Sequence, residues 1–219
     1  MRCFSCHSTG KLSLGPDSER RPAELGVRCE SCHGPGKAHV AAAGRADTAA
    51  IRSSLVNPGR MGPGGQVKFR GSCHRPPASG NEAIDWRDPW NVRHQPIYLS
   101  QSRCFQESRN PISGHSKSAN KVAAESLNCV TCHDPHQLVL RNDPAYYNER
   151  CAGCHSAALR PPNPETCRVN EGARCGSCHM PSVRPNDHLS FKNHWIGIYT
   201  DGEVIAAASI AVGLAADGR

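Results

Sequence analysis

The chain has 219 residues, a formal net charge of +7, and only 35 side chains of the Leu, Ile, Val and Phe types. So few large apolar side chains exclude an ordinary side-chain core across a chain of this length. The 13 Cys and 12 His are too many for a disordered linker. The basic residues form no run with interleaved aromatics, so composition gives no support for nucleic-acid binding.

Short helices separated by long connections are predicted in the first half of the chain. Residues 22–25 begin with a first-turn proline and are predicted to form a short helix that leads to Cys29. The alanine-rich segment 37–51 is predicted to be helical, and residues 57–66, rich in Pro and Gly, are predicted to be a loop. Residues 75–110 are rich in Pro, Trp and Arg and are interpreted as irregular.

The second half repeats this pattern. Residues 121–127 are predicted to form one or two helical turns. Asp143 and Pro144 make an N-cap and first-turn pair, so residues 144–154 are predicted to be helical. The apolar run 204–215 is too short to span a bilayer and is interpreted as a terminal helix. The predicted fold class is mainly α with long irregular loops and little or no β structure.

A five-residue pattern, Cys-x-x-Cys-His, occurs five times, and it is the attachment pattern of c-type haem. Its two thiols form thioethers with the two vinyl groups of one porphyrin, and its histidine reaches the iron from the proximal side. The predicted attachment residues are Cys3, Cys6, Cys29, Cys32, Cys129, Cys132, Cys151, Cys154, Cys175 and Cys178. The predicted proximal ligands are His7, His33, His133, His155 and His179. We therefore expect a haem-packed core and a chain that does not fold without its cofactors.

A sixth segment, residues 70–74, carries only the second half of the pattern, with Arg70 where the first cysteine belongs. Three interpretations stay open. Cys73 holds a sixth haem through a single thioether with His74 as its proximal ligand, or the segment is a relic that has lost its haem, or one residue has been dropped from the sequence. The attachment chemistry favours two thiols.

Six histidines outside these patterns are candidates for the second axial position: His39, His94, His115, His136, His188 and His194. Neutral imidazole is a suitable ligand for iron. Six candidates nearly match five or six haems, and complete ligation leaves no iron open to a substrate, which favours electron transfer over catalysis. Cys104 and Cys167 are left over, and buried thiols are preferred to a disulfide between them.

The motifs and their flanking residues resemble the multihaem cytochromes of the cytochrome c-554 type and the related cytochrome domains found beside tetratricopeptide repeats. The resemblance covers most of residues 1–198, and the stretches that carry it are 28–39, 102–105, 129–136, 175–181 and 193–196. It implies a mainly helical, haem-packed electron-transfer module. It also implies that His39, His136 and His194 are distal ligands.

The chain departs from the family pattern at three points. The segment that ends at His74 lacks its first cysteine, and no tetratricopeptide repeats follow Tyr199 in this sequence. From the resemblance we also expect a part upstream of the first pattern that this sequence does not include. The expected domains are accordingly a multihaem cytochrome c domain over residues 1–198, truncated at its N-terminus, and a C-terminal tail with a short helix over residues 199–219.

The predicted function is periplasmic electron transfer through five covalently bound haems, or six if Cys73 binds one, with no catalytic residue. An alternative is an oxidoreductase that acts on a small nitrogen compound at one five-coordinate haem. Multihaem nitrite reductases resemble this chain in motif style, but their active haem commonly uses Cys-x-x-Cys-Lys, which does not occur here. A zinc-binding module is a third class, but zinc gives no reason for the histidine that follows each pattern.

The expected partners are redox proteins, either other cytochromes or a quinol-linked dehydrogenase. We expect no nucleic acid and no transmembrane segment in this chain. Haem c is attached outside the cytoplasm, so the expected location is periplasmic or otherwise extracytoplasmic. An export signal is then expected upstream of the first pattern, and none is present in the sequence.

Overall fold

The structure is a computed structural model that describes residues 3–75, 84–109, 127–137, 143–155 and 174–199. About half of these residues are helical and 15% lie in strands, with no closed sheet among them. This composition is compatible with the predicted mainly α fold, although the two hairpins were not expected. The chain divides into two compact units, Met1–Met61 and Gly62–Arg219. None of the described helices has the length and apolar character needed to cross a bilayer.

The first unit contains short helices and one hairpin. Its elements are α1 (Cys3–His7), β1 (Ser8–Leu14), β2 (Arg20–Leu25), α2 (Cys29–His33), α3 (Lys37–Gly44), α4 (Thr48–Ser53) and a 3₁₀ turn (Pro58–Arg60).

The hairpin shows that the predicted helix over residues 22–25 is wrong. β1 and β2 pair antiparallel, with Pro22 opposite Leu12 beside a shift in register between Thr9 and Leu12. A proline is tolerated in such a two-stranded ribbon because every other backbone N–H points away from the partner strand. Pairing with β1 satisfies the backbone of this segment, and that outweighs the weak local preference for a helical first turn.

The alanine-rich segment is helical as predicted, but it is broken into two helices. Ala46, between α3 and α4, has a φ of +53°, which no α-helix accommodates. The side chain of Asp47 then caps α4 by accepting a hydrogen bond from the Ala50 N–H at 3.0 Å. The chain therefore reverses between the two helices, and they pack against each other.

The second unit holds longer helices and a second hairpin. Its elements are α5 (Pro63–His74), a 3₁₀ turn (Asn91–Arg93), α6 (Gln95–Ser100), α7 (Arg103–Ser108), α8 (Cys129–Cys132), α9 (Pro144–His155), α10 (Cys175–Cys178), β3 (Ser182–Asn186) and β4 (Leu189–Lys192). The predicted loop over residues 57–66 in fact includes the first 3₁₀ turn and the start of α5.

Helix α9 confirms the prediction made from its capping pair. The Asp143 carboxylate accepts hydrogen bonds from the backbone N–H groups of Ala145 and Tyr146, at 3.0 and 3.3 Å. Residues 121–126 of the helical turns predicted over residues 121–127 lie outside the described residues, as does the predicted C-terminal helix. The boundary between the two expected domains therefore stays a prediction.

The core of the second unit lies in the segment that the sequence suggested was irregular. Val92, Ile97 and Tyr98 are fully or almost fully buried and pack with Val183 and Trp195. A second cluster joins Val67, Leu99 and Phe105, with Leu127 and Ile196 at its edge. Residues 84–109 are therefore structural, and Pro96 lies in the first turn of α6.

The first unit has almost no core of its own. Of its described side chains, only Thr9, Ala42 and Pro58 are buried. In contrast, Leu25 is 71% exposed and Val40 is 69% exposed. A unit of this size with its larger apolar side chains in solvent lacks the burial that ordinarily stabilises a fold.

Candidate haem sites

Every complete attachment pattern lies on a helical turn: α1, α2, α8 and α10 each begin at a first cysteine, and α9 ends on the fourth copy. Residues three positions apart share one face of a helix, so this turn brings two thiols to one side. The histidine follows at the end of the same turn. The incomplete pattern has the same placement, since α5 ends at Cys73 and His74.

The hairpin of the first unit ties its two attachment patterns together. The Gly26 N–H donates a hydrogen bond to the His7 carbonyl at 3.0 Å. The Thr9 hydroxyl donates to the Gly26 carbonyl at 2.8 Å and accepts from the Arg28 N–H at 2.9 Å, directly before Cys29. The first and second patterns are therefore fixed relative to each other by β1 and β2.

Two histidines of the first unit are oriented by backbone carbonyls. Nδ1 of His33 donates to the Val56 carbonyl at 2.7 Å, and Nδ1 of His39 donates to the Ile51 carbonyl at 3.1 Å. A carbonyl oxygen only accepts, so Nδ1 carries the proton and Nε2 keeps its lone pair in the neutral ring. Metal-ligating histidines are commonly held in this way. Gly34, directly after His33, allows the turn with a φ of +75°.

The second unit shows the same arrangement at two histidines. Nδ1 of His179 donates to the Gly197 carbonyl at 2.8 Å, and Nδ1 of His194 donates to the Lys192 carbonyl at 3.0 Å. One of these is a predicted proximal ligand and the other a predicted distal ligand. The orientation therefore suits Nε2 ligation at both kinds of position.

The third attachment pattern brings a proximal and a distal candidate together. The ring centres of His133 and His194 lie 6.2 Å apart, with 29° between the ring planes. Metal–imidazole bonds of about 2.0 Å on opposite sides of one ion, plus about 1 Å from each nitrogen to its ring centre, give a separation of roughly 6 Å. The observed spacing is of the size that two imidazoles sharing one metal ion require, so His133 and His194 would hold one iron together.

Both rings of this pair are in the protonation state that iron requires. Burial lowers the pKa of His194 to about 4, against a smaller opposing effect of its hydrogen bond with Lys192. Burial, followed by the charge of Arg70, also lowers the pKa of His133. The two imidazoles are therefore neutral at pH 7, with a lone pair available for a metal.

The elements around the third pattern hold it firmly. The Asn128 side chain accepts from the backbone of Val130 and Thr131, while the Thr131 hydroxyl accepts from the Asn128 N–H, which makes a capping box. The His133 ring also rests edge-on against Tyr147 of α9, with ring centres 5.8 Å apart. The third pattern is thereby packed against the helix that carries the fourth.

The fourth and fifth patterns are also adjacent. The Cys175 N–H donates to the Asn148 side chain of α9 at 3.0 Å. Burial, followed by the neighbouring Cys175 thiol, raises the pKa of the Cys151 thiol to about 11. The first attachment thiols of the two patterns therefore lie near each other.

Cys104 lies near these thiols, which its position in the sequence gave no means of foreseeing. It is a free, half-buried thiol, and burial raises its pKa to about 11. A charge on Cys104 would also act on Cys132, and burial raises the pKa of the Cys132 thiol to about 11. Cys104 is thus a half-buried free thiol, while Cys167 lies outside the described residues, so the preference for two buried thiols stays a prediction.

The remaining candidate histidines differ in how deeply they are buried. His94 is half-buried, and burial together with the charges of Arg93 and Arg75 lowers its pKa, with a smaller effect from His74. His136 and His188 lie in exposed turns, and His7, His74 and His155 are exposed at helix ends. His115 lies outside the described residues.

Two buried donors in the second unit are suited to an acidic cofactor. Within the described segments, neither Nε of Arg150 nor Nε1 of Trp195 has a hydrogen-bond partner. An unpaired buried donor costs free energy, and a haem propionate offers the anionic acceptor that each of them needs. The exposed apolar side chains of the first unit suit the porphyrin ring in the same way. The residues present therefore fit haem.

In the part of the chain that the structure describes, no three His, Cys, Asp or Glu side chains form a group that would hold a bare metal ion. A haem iron needs no such group, because the porphyrin supplies four of its ligands and the protein supplies only the two axial ones.

Comparison with known proteins gives one match. Residues 1–34 match the family model described as cytochrome c554 and c-prime, over about a sixth of the chain. No curated protein and no solved structure matches the chain. The matched region includes both attachment patterns of the first unit, and the family suggests an extracytoplasmic location. The match supports a c-type cytochrome that binds haem covalently and takes part in electron transfer.

Proposed function

We propose that this protein is a periplasmic electron carrier that holds five haems at its five complete attachment patterns, most of them with two histidine ligands. The observation that carries the proposal is the pair formed by His133 and His194, whose spacing and neutral state suit the two axial positions of one iron. The haem supplies one-electron exchange between ferric and ferrous iron. The protein supplies ligands, orientation and exclusion of water.

The distal ligand of this third site is fixed from a distant part of the sequence. Ser102 is fully buried, and its hydroxyl donates to the His194 carbonyl at 3.0 Å. The same hydroxyl accepts from the Ile196 N–H at 2.7 Å. The segment that carries His194 is thus held at two points, which keeps the imidazole in place during changes in the charge of the iron.

The first unit supports haem binding for a different reason. Its two attachment patterns are fixed by a hairpin, yet side chains such as Leu25 and Val40 remain in solvent. Two porphyrins bound at Cys29 and at the first pattern would cover apolar surface, with a gain of about 25 cal/mol per Å². We propose that haem supplies the core that this unit lacks.

A carrier with saturated irons exchanges electrons only through its exposed edges, so we propose other redox proteins as partners, either cytochromes or a quinol-linked dehydrogenase. The competing function is that of an oxidoreductase acting on a small nitrogen compound. It would need one iron with an open axial position.

Electron paramagnetic resonance of the exported, fully oxidised protein tests the proposal. We expect low-spin ferric signals from the haems, unchanged when nitrite or hydroxylamine is added. A high-spin signal in the native protein that disappears on addition of either compound would support the oxidoreductase instead.

A further inference from the structure

We propose that Arg70 provides a fixed positive charge that raises the reduction potential of the haem held at Cys129–His133. The inference rests on the proposed function, because it requires a haem at that pattern. Arg70 stands where the incomplete pattern lacks its first cysteine. The arginine that replaces an attachment cysteine in the incomplete pattern would then act on the haem of the third pattern.

Packing places this arginine beside the third pattern. Val67 of α5 is buried in the cluster that includes Leu127 and Ile196. Leu127 lies two residues before Cys129. Arg70 follows Val67 by three positions and so shares its face of the helix, and α5 is in contact with α8.

The guanidinium is also held from the side. Nε of Arg70 donates to the side-chain oxygen of Gln66 at 3.3 Å. Gln66 is fully buried, one turn earlier on the same helix. The arginine is itself only half-exposed, so its charge is not free to swing into solvent, where water would screen it.

The charge of Arg70 reaches both the attachment and the ligand residues of the third pattern. The Arg70 guanidinium lies close enough to the Cys129 thiol and the His133 ring for its charge to act on both. A charge on an iron held by these residues would experience the same field.

This field has a definite consequence for reduction. When ferric iron takes one electron from a one-electron donor, the site loses one unit of positive charge and no bond changes. A nearby cation therefore repels the reduced site less than the oxidised one, and the reduced form gains relative stability. Neutralising Arg70 removes that preference and lowers the reduction potential.

Spectroelectrochemical titration of the holoprotein with redox mediators tests the inference. For Arg70→Gln we expect the oxidised-to-reduced ratio of one haem at a given potential to rise about tenfold. Its midpoint potential should therefore fall by about 59 mV, the value for a one-electron couple. The shifted component should be the one that His194→Ala also perturbs. Arg70→Lys keeps the charge and should restore most of the native potential.

Two further variants complete the test. Lys68→Gln removes the same charge from the same helix, but position 68 does not share a face with position 70, so we expect native potentials. Arg70→Met repeats the neutralisation while keeping an apolar stem.

Native potentials in a neutral variant that keeps its haems would overturn the inference. Loss of haem from both neutral variants would also overturn it, because Arg70 would then be structural. Absence of haem from the native protein would instead overturn the proposed function.

Discussion

Removal of the distal imidazole at the third site is the sharpest perturbation that the geometry offers. His194 lies 6.2 Å from His133 between ring centres, and its Nδ1 hydrogen bond leaves Nε2 as the ligating nitrogen. In His194→Ala one iron would lose its sixth ligand, and no described side chain other than His194 is paired with His133 in this way. Five-coordinate ferric haem with one histidine ligand is high-spin, so the spin state reports the loss directly.

The size of the effect follows from the haem number. With five complete attachment patterns in the sequence, loss of one distal ligand changes one haem in five. We therefore expect about a fifth of the ferric haem to become high-spin, with the haem content per chain unchanged because both thioethers of the third pattern remain.

Quantitative electron paramagnetic resonance measures this fraction against a spin standard. Asp187→Ala is the matched control, since Asp187 lies in the exposed turn between β3 and β4 and is not a candidate ligand, and we expect it to keep the native spectrum. A His194→Ala protein that contains all its haem yet remains entirely low-spin would refute the pairing of His133 with His194.

Three other predictions concern the support of this site, its proton linkage and the incomplete pattern. Ser102→Ala removes both hydrogen bonds of a fully buried hydroxyl. It should lower the free energy of unfolding by about 1–3 kcal/mol in denaturant titrations, whereas the exposed Ser190→Ala should have little effect. Iron bound at Nε2 would keep His194 from taking up a proton in the folded holoprotein, and burial alone already lowers the pKa of this imidazole to about 4. An unfolded histidine titrates near 6.5, so the unfolded chain takes up the proton first and the free energy of unfolding should fall as the pH drops below about 6.5. His194→Ala should show a weaker pH dependence of the free energy of unfolding. Cys73→Ala should leave the intact mass of the holoprotein at five haems, and loss of one porphyrin would instead establish a single-thioether site.

The sequence predicted correctly those elements that are stabilised by residues adjacent in the chain. Asp143 before Pro144 specified the start of α9, because a carboxylate that caps free N–H groups needs no distant partner. The attachment patterns fall on helical turns for a related reason, since their spacing already matches one turn. The helix predicted from Pro22 is wrong because the preference of proline for a first helical turn contributes less free energy than the backbone hydrogen bonds with β1.

Features that depend on distant contacts were not readable from the sequence. Residues 84–109 lack helical periodicity, yet Tyr98 and Val92 are buried by Val183 and Trp195 from the far end of the chain. The neighbourhood of Arg70 was hidden in the same way. The sequence showed that a cysteine was missing there, but only the packing of α5 against α8 shows that Arg70 lies near the third attachment pattern.

The most direct test of the whole account is the number of covalently bound haems. A pyridine haemochrome assay combined with intact mass should be carried out on protein exported through a haem-attachment pathway. The account predicts a mass increase of five porphyrins per chain, a number set by its five complete patterns, and a strong Soret band. A colourless protein with the mass of the bare polypeptide would contradict it.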